Sequence, residues 1–335
     1  MKRSLISLYD IADYKNLAIA AVKARKGKQF RCYAKSFFKD FDYNISILRK
    51  DILSQSAPYG LFKEFIIYDP KERTINAACF EDRIIHHALI NFMEPVFEKA
   101  LLPSVFACRK GKGTLAAVES VQQNIRRYPW YVKIDIKKYF DSIDHSILLA
   151  LLNKKFKGDG AIRLICKIIN SYHGDTGKGL PIGSLTSQHF ANYYLNPVDR
   201  FITEALKARA HTRYMDDIIW WCGSSLECKD ILKKVQEFLK EKCKLTVKNN
   251  IQINKSIKGV SFCGFRILPG VLRLSKRRKT RYKALLDKWE GLYKKGNINS
   301  EKLQIAYDAV HSVILHADSR NWRRNIISHK SIMEV

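Results

Sequence analysis

Two neighbouring carboxylates are the part of this sequence best equipped for chemistry. In Arg213-Tyr214-Met215-Asp216-Asp217-Ile218-Ile219-Trp220-Trp221 they interrupt an apolar, aromatic run whose composition favours strand. A strand pair turning at Asp216-Asp217 follows. Two like charges about 4 Å apart repel by roughly 4 kcal/mol at an effective dielectric near 20, so a water-poor turn would hardly keep both ionised without a cation. A divalent metal relieves that repulsion, and so does full solvation on a surface hairpin. These residues alone leave both readings open.

A further acid stands at the end of another apolar run. Tyr131-Val132-Lys133-Ile134 reads as a strand that delivers Asp135 at its end, before a polar turn with a buried-looking aromatic and a helix over 145–153. Asp141 and Asp144 lie where helix caps belong, which makes them the structural candidates and Asp135 the chemical one. If the two strands are neighbours, Asp135, Asp216 and Asp217 can share one site and hold two Mg²⁺ ions, which prefer carboxylate and phosphate oxygen. One ion would activate a primer 3′-hydroxyl and the other would neutralise a leaving pyrophosphate. In-line phosphoryl transfer then needs little beyond positioning and charge.

The elements around these acids must bring a nucleotide and a strand to them. Residues 61–80 read as a hairpin, with Phe65-Ile66-Ile67-Tyr68 and Arg73-Thr74-Ile75 flanking the turn Asp69-Pro70-Lys71-Glu72. Lys71 and Arg73 at its tip could close over a triphosphate, Arg73 foremost because its fork matches phosphate geometry; an ordinary charged turn fits equally well. The basic loop Cys108–Thr114 runs into an amphipathic helix at 115–127, where Arg109, Lys110, Lys112 and backbone N–H groups could hold a phosphate of template or primer. Leu180-Pro181-Ile182-Gly183-Ser184-Leu185-Thr186-Ser187-Gln188 opens a long helix through about Leu206 and can lie close to a flat ligand such as a base pair.

Apolar spacing elsewhere predicts helices at 17–24, 45–53, 81–99 with a kink or break at Pro95, 161–172 and 227–242. A strand at 260–267 carries Gly264, which suggests a tight bend or a close backbone approach. Lys23, Arg25, Lys26, Lys28 and Arg31 form a basic cluster, either a solvated face or a nucleic-acid contact. The last seventy residues are helical and basic, and Arg277, Arg278, Lys279 and Arg281 adjoin an apolar face of Leu285, Leu286, Trp289 and Leu292. Such a helix suits the backbone of a duplex.

Composition narrows the partners. With 335 residues, 46% hydrophobic and 11% aromatic, the chain is long and apolar enough for two or three subdomains around a sizeable core. Sixty basic residues against thirty-two acidic ones leave a net charge of +28, spread over much of the chain, which favours nucleic acid as a polyanionic partner. No apolar run of about 20 residues, cleavable signal or lipidation pattern points to a membrane, so a soluble, cytoplasmic protein is expected. The eight cysteines include no C-x-x-C pair and read as small core residues, and His86-His87 reads as packing.

In combination these stretches resemble a reverse transcriptase. The Tyr214-Met215-Asp216-Asp217 box, the Asp135 box with Phe140 five residues on, the Pro181–Gln188 loop and Phe262-Cys263-Gly264-Phe265 stand in that family's order and spacing, over about residues 60–270. The resemblance implies an α+β, right-hand polymerase fold: a basic helical region at 1–60, fingers and an antiparallel palm sheet backed by helices at 61–270, and a helical thumb at 271–335. It implies that Asp135, Asp216 and Asp217, with the Ile136 carbonyl, bind the two Mg²⁺ ions, with Mn²⁺ as a substitute. Phe140 would exclude a ribose 2′-hydroxyl, Arg73 and Lys71 would contact the incoming dNTP, and Ile182, Gly183 and Gln188 would line the nascent base pair.

Among bacterial, non-viral members the chain is most similar to reverse transcriptases of diversity-generating retroelements, through Ile182–Gln188, Arg109–Thr114 and Phe80–Leu89. That subgroup copies a template RNA with poor fidelity at adenine and works with a small accessory protein. An antiphage defence enzyme guided by a noncoding RNA is the alternative role. Either way, the expected partners are template or noncoding RNA, cDNA, the RNA–DNA hybrid and dNTPs. An alternative of another class is a catalytically silent RNA-binding protein that keeps the fold. No lysine near Lys248-Asn249-Asn250 is matched to the family's possible proton donor.

Overall fold

The computed structural model describes residues 3–68, 72–172, 177–312 and 314–328. Its strands, in chain order, are β1 (Ser4–Leu5), β2 (Phe62–Tyr68), β3 (Glu72–Ala78), β4 (Trp130–Ile134), β5 (Phe156–Lys157), β6 (Ala210–Tyr214), β7 (Asp217–Cys222), β8 (Gln252–Lys255), β9 (Val260–Phe262), β10 (Phe265–Ile267) and β11 (Leu272–Leu274). Helices and sheets are mixed in one α+β chain, which divides into two compact units whose segments alternate along the sequence.

The first unit comprises Met1–Pro103, Asp135–Ala205 and Lys233–Asn249. Its helices Tyr14–Arg25, Phe41–Leu53 and Phe80–Ala100 bury one face each, through Leu17 and Ala21, Ile45 and Leu48, and Ile85, Ala88 and Leu89. These positions recur at three- and four-residue spacing, which lines apolar side chains along one stripe. The two expected N-terminal helices are present, the first preceded by a short one at Leu8–Ile11 and the two separated by another at Cys32–Lys39. The helix Phe80–Ala100 runs through Pro95 without a break. In contrast, the long helix expected from Leu185 to Leu206 is three pieces, Leu185–Tyr194, Asn196–Arg200 and a π turn at Phe201–Ala205. Pro197 explains the first interruption, since it lacks the N–H that a continuous helix would use. β1 pairs in parallel with β5, and β2 with β3 as an antiparallel hairpin from Phe62↔Ala78 to Tyr68↔Glu72. Lys71, with Asp69 and Pro70, lies outside the described residues.

The second unit comprises Ser104–Ile134, Leu206–Leu232 and Asn250–Val335. An antiparallel sheet in the order β6-β7-β4-β8 forms its centre, and β11-β10-β9 form a second antiparallel sheet. β7 reads Asp-Ile-Ile-Trp-Trp-Cys because it is central and buried on both faces. Tyr131, Ile219 and Trp221 share a core with Val118 and Val121 of the helix Thr114–Arg127, with Phe262 and Phe265, and with Leu286 of the helix Lys276–Lys294. The strand expected over 260–267 is instead a hairpin, β9 and β10, turning at Cys263 (φ 46°) and Gly264 (φ 80°). Two consecutive positive φ values make a tight primed turn, and a Cβ at Gly264 would meet Arg278 Nε at 2.4 Å. The bend and the close approach therefore coincide.

All eight cysteines are free; Cys222, Cys228 and Cys243 are buried, Cys32 is exposed and the other four are half-buried, so fewer are core residues than expected.

Candidate functional site

The hairpin β6–β7 closes with Tyr214 opposite Asp217, which leaves Met215 and Asp216 at the tip and makes Asp217 the first residue of β7. The turn is thus centred one residue earlier than the acid pair. Met215 sits at φ 58°, a left-handed conformation that costs a side-chain-bearing residue about 1 kcal/mol or more. Arg213, fully buried, holds that turn by donating from Nη1 to the Met215 carbonyl at 3.0 Å, while its own N–H donates to Ser104 O at 3.0 Å. The Tyr214 hydroxyl accepts a hydrogen bond from Thr114 at the start of the helix Thr114–Arg127. Lys133, the one charge inside β4, reaches Asp217 Oδ1 with its ammonium at 3.0 Å.

In the first unit, Asp135 accepts from Lys248: Nζ lies 2.5 Å from Oδ2, and the Lys248 N–H donates to the Asp135 carbonyl at 2.8 Å. Lys137 N–H donates to Thr246 O, so the bridge between Ile136 and Val247 uses the groups flanking Ile136 and not its own carbonyl. Lys138, at φ 44°, turns the chain into Tyr139–Ser142. The buried aromatic of this turn is Tyr139; Phe140 is partly exposed, and its carbonyl accepts from Leu180 N–H at 2.9 Å. Asp144 caps the helix His145–Asn153 through Ile147 N–H, as expected, whereas Asp141 lies in the first turn of its helix and is not a cap. Burial alone would raise the Asp144 carboxyl, but Lys244 at 2.8 Å, the Ser146 hydroxyl and the cap bond outweigh it and hold the group at about 2.

The loop that contains Ile182 and Gly183 is laid against β3. Asn76 N–H donates to Ile182 O at 2.8 Å, and a Cβ on Gly183, at φ 115°, would stand 2.8 Å from Ile75 Cγ2. Only glycine permits that approach. Arg73, three residues before Asn76, is exposed on the same strand, and Gln188 is exposed on the helix that follows. Behind the loop, buried His86 is 3.3 Å from the Ser184 hydroxyl. A groove of about 920 Å³ runs beside these residues, lined by Lys28, Arg31, Tyr33, Phe65, Arg83 and Gly183 among others. Arg83 lies over the Tyr33 ring at 4.9 Å.

The expected phosphate contacts are differently disposed. Arg109 and Lys112 both fold back onto the Val105 carbonyl, at 3.1 and 3.3 Å, and Lys110 is exposed. On the helix Lys276–Lys294, Arg277 and Arg281 are exposed one turn apart. Arg278 instead donates to Cys263 O at 3.0 Å and stacks over Phe265 at 4.1 Å, and Lys279 lies 5.3 Å over Trp322. Lys133 and Arg213 lie inside the acid-bearing runs of the sequence but carry no expected role there, and Lys248 stands in the stretch where no lysine is matched to a proton donor. A lone lysine two residues before the strand-end acid was the available signal for the first, and nothing in the apolar pattern marks Lys248.

Among the described residues, no three His, Cys, Asp or Glu side chains come together as a ready ligand group; Asp135 and Asp217 are each drawn to a lysine. Residues 68–267 match the family described as Reverse transcriptase (RNA-dependent DNA polymerase), which is well over half of the chain. The chain belongs to the reverse transcriptase family. Similar proteins include the putative COX1/OXI3 intron 2 protein of Saccharomyces cerevisiae, 23% identical over 77% of this chain and 38% of that protein. The group II intron-encoded protein LtrA of Lactococcus lactis is 29% identical over 40% of this chain and 23% of its own length. This reverse transcriptase relative therefore spans less than two fifths of either protein. A telomerase from Candida tropicalis, solved with a fragment of telomeric RNA, aligns at a TM-score of 0.49 and 13% identity over 85% of this chain and 58% of that one. At that distance nothing of its chemistry carries over. No described helix is long and apolar enough to cross a membrane.

Proposed function

We propose that this chain is an RNA-directed DNA polymerase whose catalytic centre is Asp135, Asp216 and Asp217. One observation carries the reading. The β4–β7 ladder ends with Ile134 opposite Ile218, and the next residue outward is Asp135 on one strand and Asp217 on the other. Hard carboxylate oxygens at these strand ends suit Mg²⁺ or Mn²⁺, and the pairing of Asp135 and Asp217 each with a lysine supports a cation-binding role. Bound there with the Ile136 carbonyl, two such ions would supply activation of a primer hydroxyl and neutralisation of the leaving pyrophosphate.

The chain's own residues do the positioning. Arg73, and Lys71 beside it, would grip the triphosphate of an incoming dNTP, and Phe140 would press on the sugar where a 2′-hydroxyl would project. Ile182, Gly183 and Gln188 would border the nascent pair. Lys248 would hold or pass a proton beside Asp135. The groove lined by Lys28, Arg31, Tyr33 and Phe65 combines basic and aromatic side chains, which suits a single-stranded RNA template. Arg109, Lys110, Lys112, Arg277 and Arg281 would meet the RNA–DNA hybrid, with Arg278 and Lys279 bracing their helix from within.

Asp216→Ala should abolish Mg²⁺-dependent cDNA synthesis on a primed RNA and leave RNA binding largely intact. Undiminished synthesis would remove the metal assignment; RNA binding with no synthesis by the unaltered protein would favour a silent RNA-binding role. The run Ile182–Gln188 supports a diversity-generating retroelement as the biological setting, in the cytoplasm and with a small accessory protein. An aliphatic Ile182 has no amide to hold the templating pair, so Ile182→Gln should improve copying of adenine. An unchanged error spectrum would detach the residue from base selection.

A further inference from the structure

Lys133 makes three contacts from one ammonium, all within the second unit. It pairs with Asp217 Oδ1 at 3.0 Å, donates to the Ser261 carbonyl of β9 at 2.7 Å and lies 5.6 Å over the Phe262 ring. Its side chain is only 16% exposed. In β4 it stands directly opposite Ile219, so it shares a sheet face with Asp217, two residues away on β7. A lysine in the middle of a strand that is otherwise apolar loses hydration and side-chain freedom, and a charged partner plus a carbonyl acceptor offset that loss. The ion pair and the Ser261 hydrogen bond together link the acid-bearing turn of β6–β7 to the β9–β10 hairpin, which is held in turn by Arg278 through Cys263 O.

We propose that Lys133 is a positioning residue: it fixes the direction of the Asp217 carboxylate and yokes the catalytic turn to the β9–β10 hairpin, so that Asp217 acts as an oriented, charge-balanced partner of Asp216. This rests on the polymerase reading. Two consequences separate it from a merely structural role. With its internal cation removed, the Asp217 carboxylate is freer to take a metal, so Lys133→Met should bind Mn²⁺ more tightly. The loosened turn should nevertheless copy more slowly.

The test compares the unaltered protein, Lys133→Met, Lys133→Gln and Lys133→Arg. Mn²⁺ binding is followed by electron paramagnetic resonance without nucleic acid, and primed cDNA synthesis is resolved into kcat and KM for dNTP. Expected for Lys133→Met is Mn²⁺ affinity raised roughly threefold, the scale of a partly exposed ion pair, together with a lower kcat and little change in KM. Lys133→Gln, which keeps a donor for Ser261 without the charge, should gain affinity with a smaller loss of kcat. Lys133→Arg should restore both. Unchanged affinity and kcat in Lys133→Met and Lys133→Gln would overturn the proposal, as would parallel loss of affinity, kcat and melting temperature in both. If the unaltered protein made no cDNA, the polymerase reading would fail, and the Mn²⁺ arm would still decide whether Lys133 restrains Asp217.

Discussion

Two hairpins of this reverse transcriptase are built from nearly the same kinds of residue and live in opposite surroundings. β6–β7 carries the acids, and Ile218, Ile219, Trp220 and Trp221 behind them are wholly buried. β2–β3 carries Arg73, and the apolar residues Phe65, Ile66 and Tyr68 of β2 stand in solvent, exposed by 46%, 51% and 74%. β7 has a neighbour on each side in a four-stranded sheet, whereas β2 and β3 have only each other. An isolated two-stranded ribbon is marginal in water. The difference teaches a division of labour: the acids proposed to hold a metal stand at the end of a strand paired on both sides, where many contacts resist local opening, while the arginine proposed to grip a nucleotide stands on a two-stranded ribbon where local opening is cheap.

Core truncation should expose this contrast most strongly. Trp221→Ala removes a large, fully buried side chain from the shared core and should cost about 3–5 kcal/mol, seen as a lower denaturant midpoint. The corresponding cut in the other hairpin, Ile66→Ala, should stay within about 0.5 kcal/mol. Equal losses would erase the distinction between a fixed and a yielding hairpin. Next in size is a change in function without a change in stability. Arg73→Ala should raise KM for dNTP roughly tenfold, the worth of one charge-assisted hydrogen bond, and leave the melting temperature where it was. A shift in melting with no shift in KM would make Arg73 part of the ribbon's framework.

Both hairpins were legible in the sequence, because apolar, aromatic runs around turn signals need only local information. Their surroundings were not: Phe65-Ile66-Ile67-Tyr68 and Ile218-Ile219-Trp220-Trp221 look alike until partners across the sheet are known. The same limit explains the strand at 260–267. Gly264 marked a bend, but Cys263 also takes a positive φ, which a cysteine does not advertise, and the bend became a full reversal. The acids at 135, 216 and 217 were legible as candidates because charge is conspicuous at a strand end. The lysines that face two of them were not, since a +28 chain offers many lysines and only the fold selects Lys133 and Lys248. Arg278 illustrates the converse: it belongs to a run of basic residues that reads as a nucleic-acid face, yet helical geometry turns it inward onto Phe265.

The smallest effect concerns how the exposed hairpin is anchored at its base. β3 is tied to the Ile182 carbonyl by Asn76, and two residues on Ser184 meets the imidazole of His86. Burial, reinforced by the nearby His87 and Arg83, pushes the His86 imidazole down to about 3. In the unfolded chain a histidine titrates near 6.5, so as pH falls the unfolded state takes up a proton that the folded state refuses. Its contribution is therefore complete above about pH 6.5 and declines steadily as pH falls toward 3. Between pH 7 and 6 this amounts to roughly 0.7 kcal/mol. His86→Gln should remove that share of the acid slope in unfolding experiments, leaving whatever His87, lowered to about 4 by burial and by the charges of Lys23 and Lys28, adds of its own. The protection factor of the Asn76 N–H, its exchange rate divided into the intrinsic base-catalysed rate at each pH, should fall as pH drops from 7 to 6 in the unaltered protein, and fall less in the variant. A slope that survives the substitution would mean that the base of the hairpin is held independently of His86.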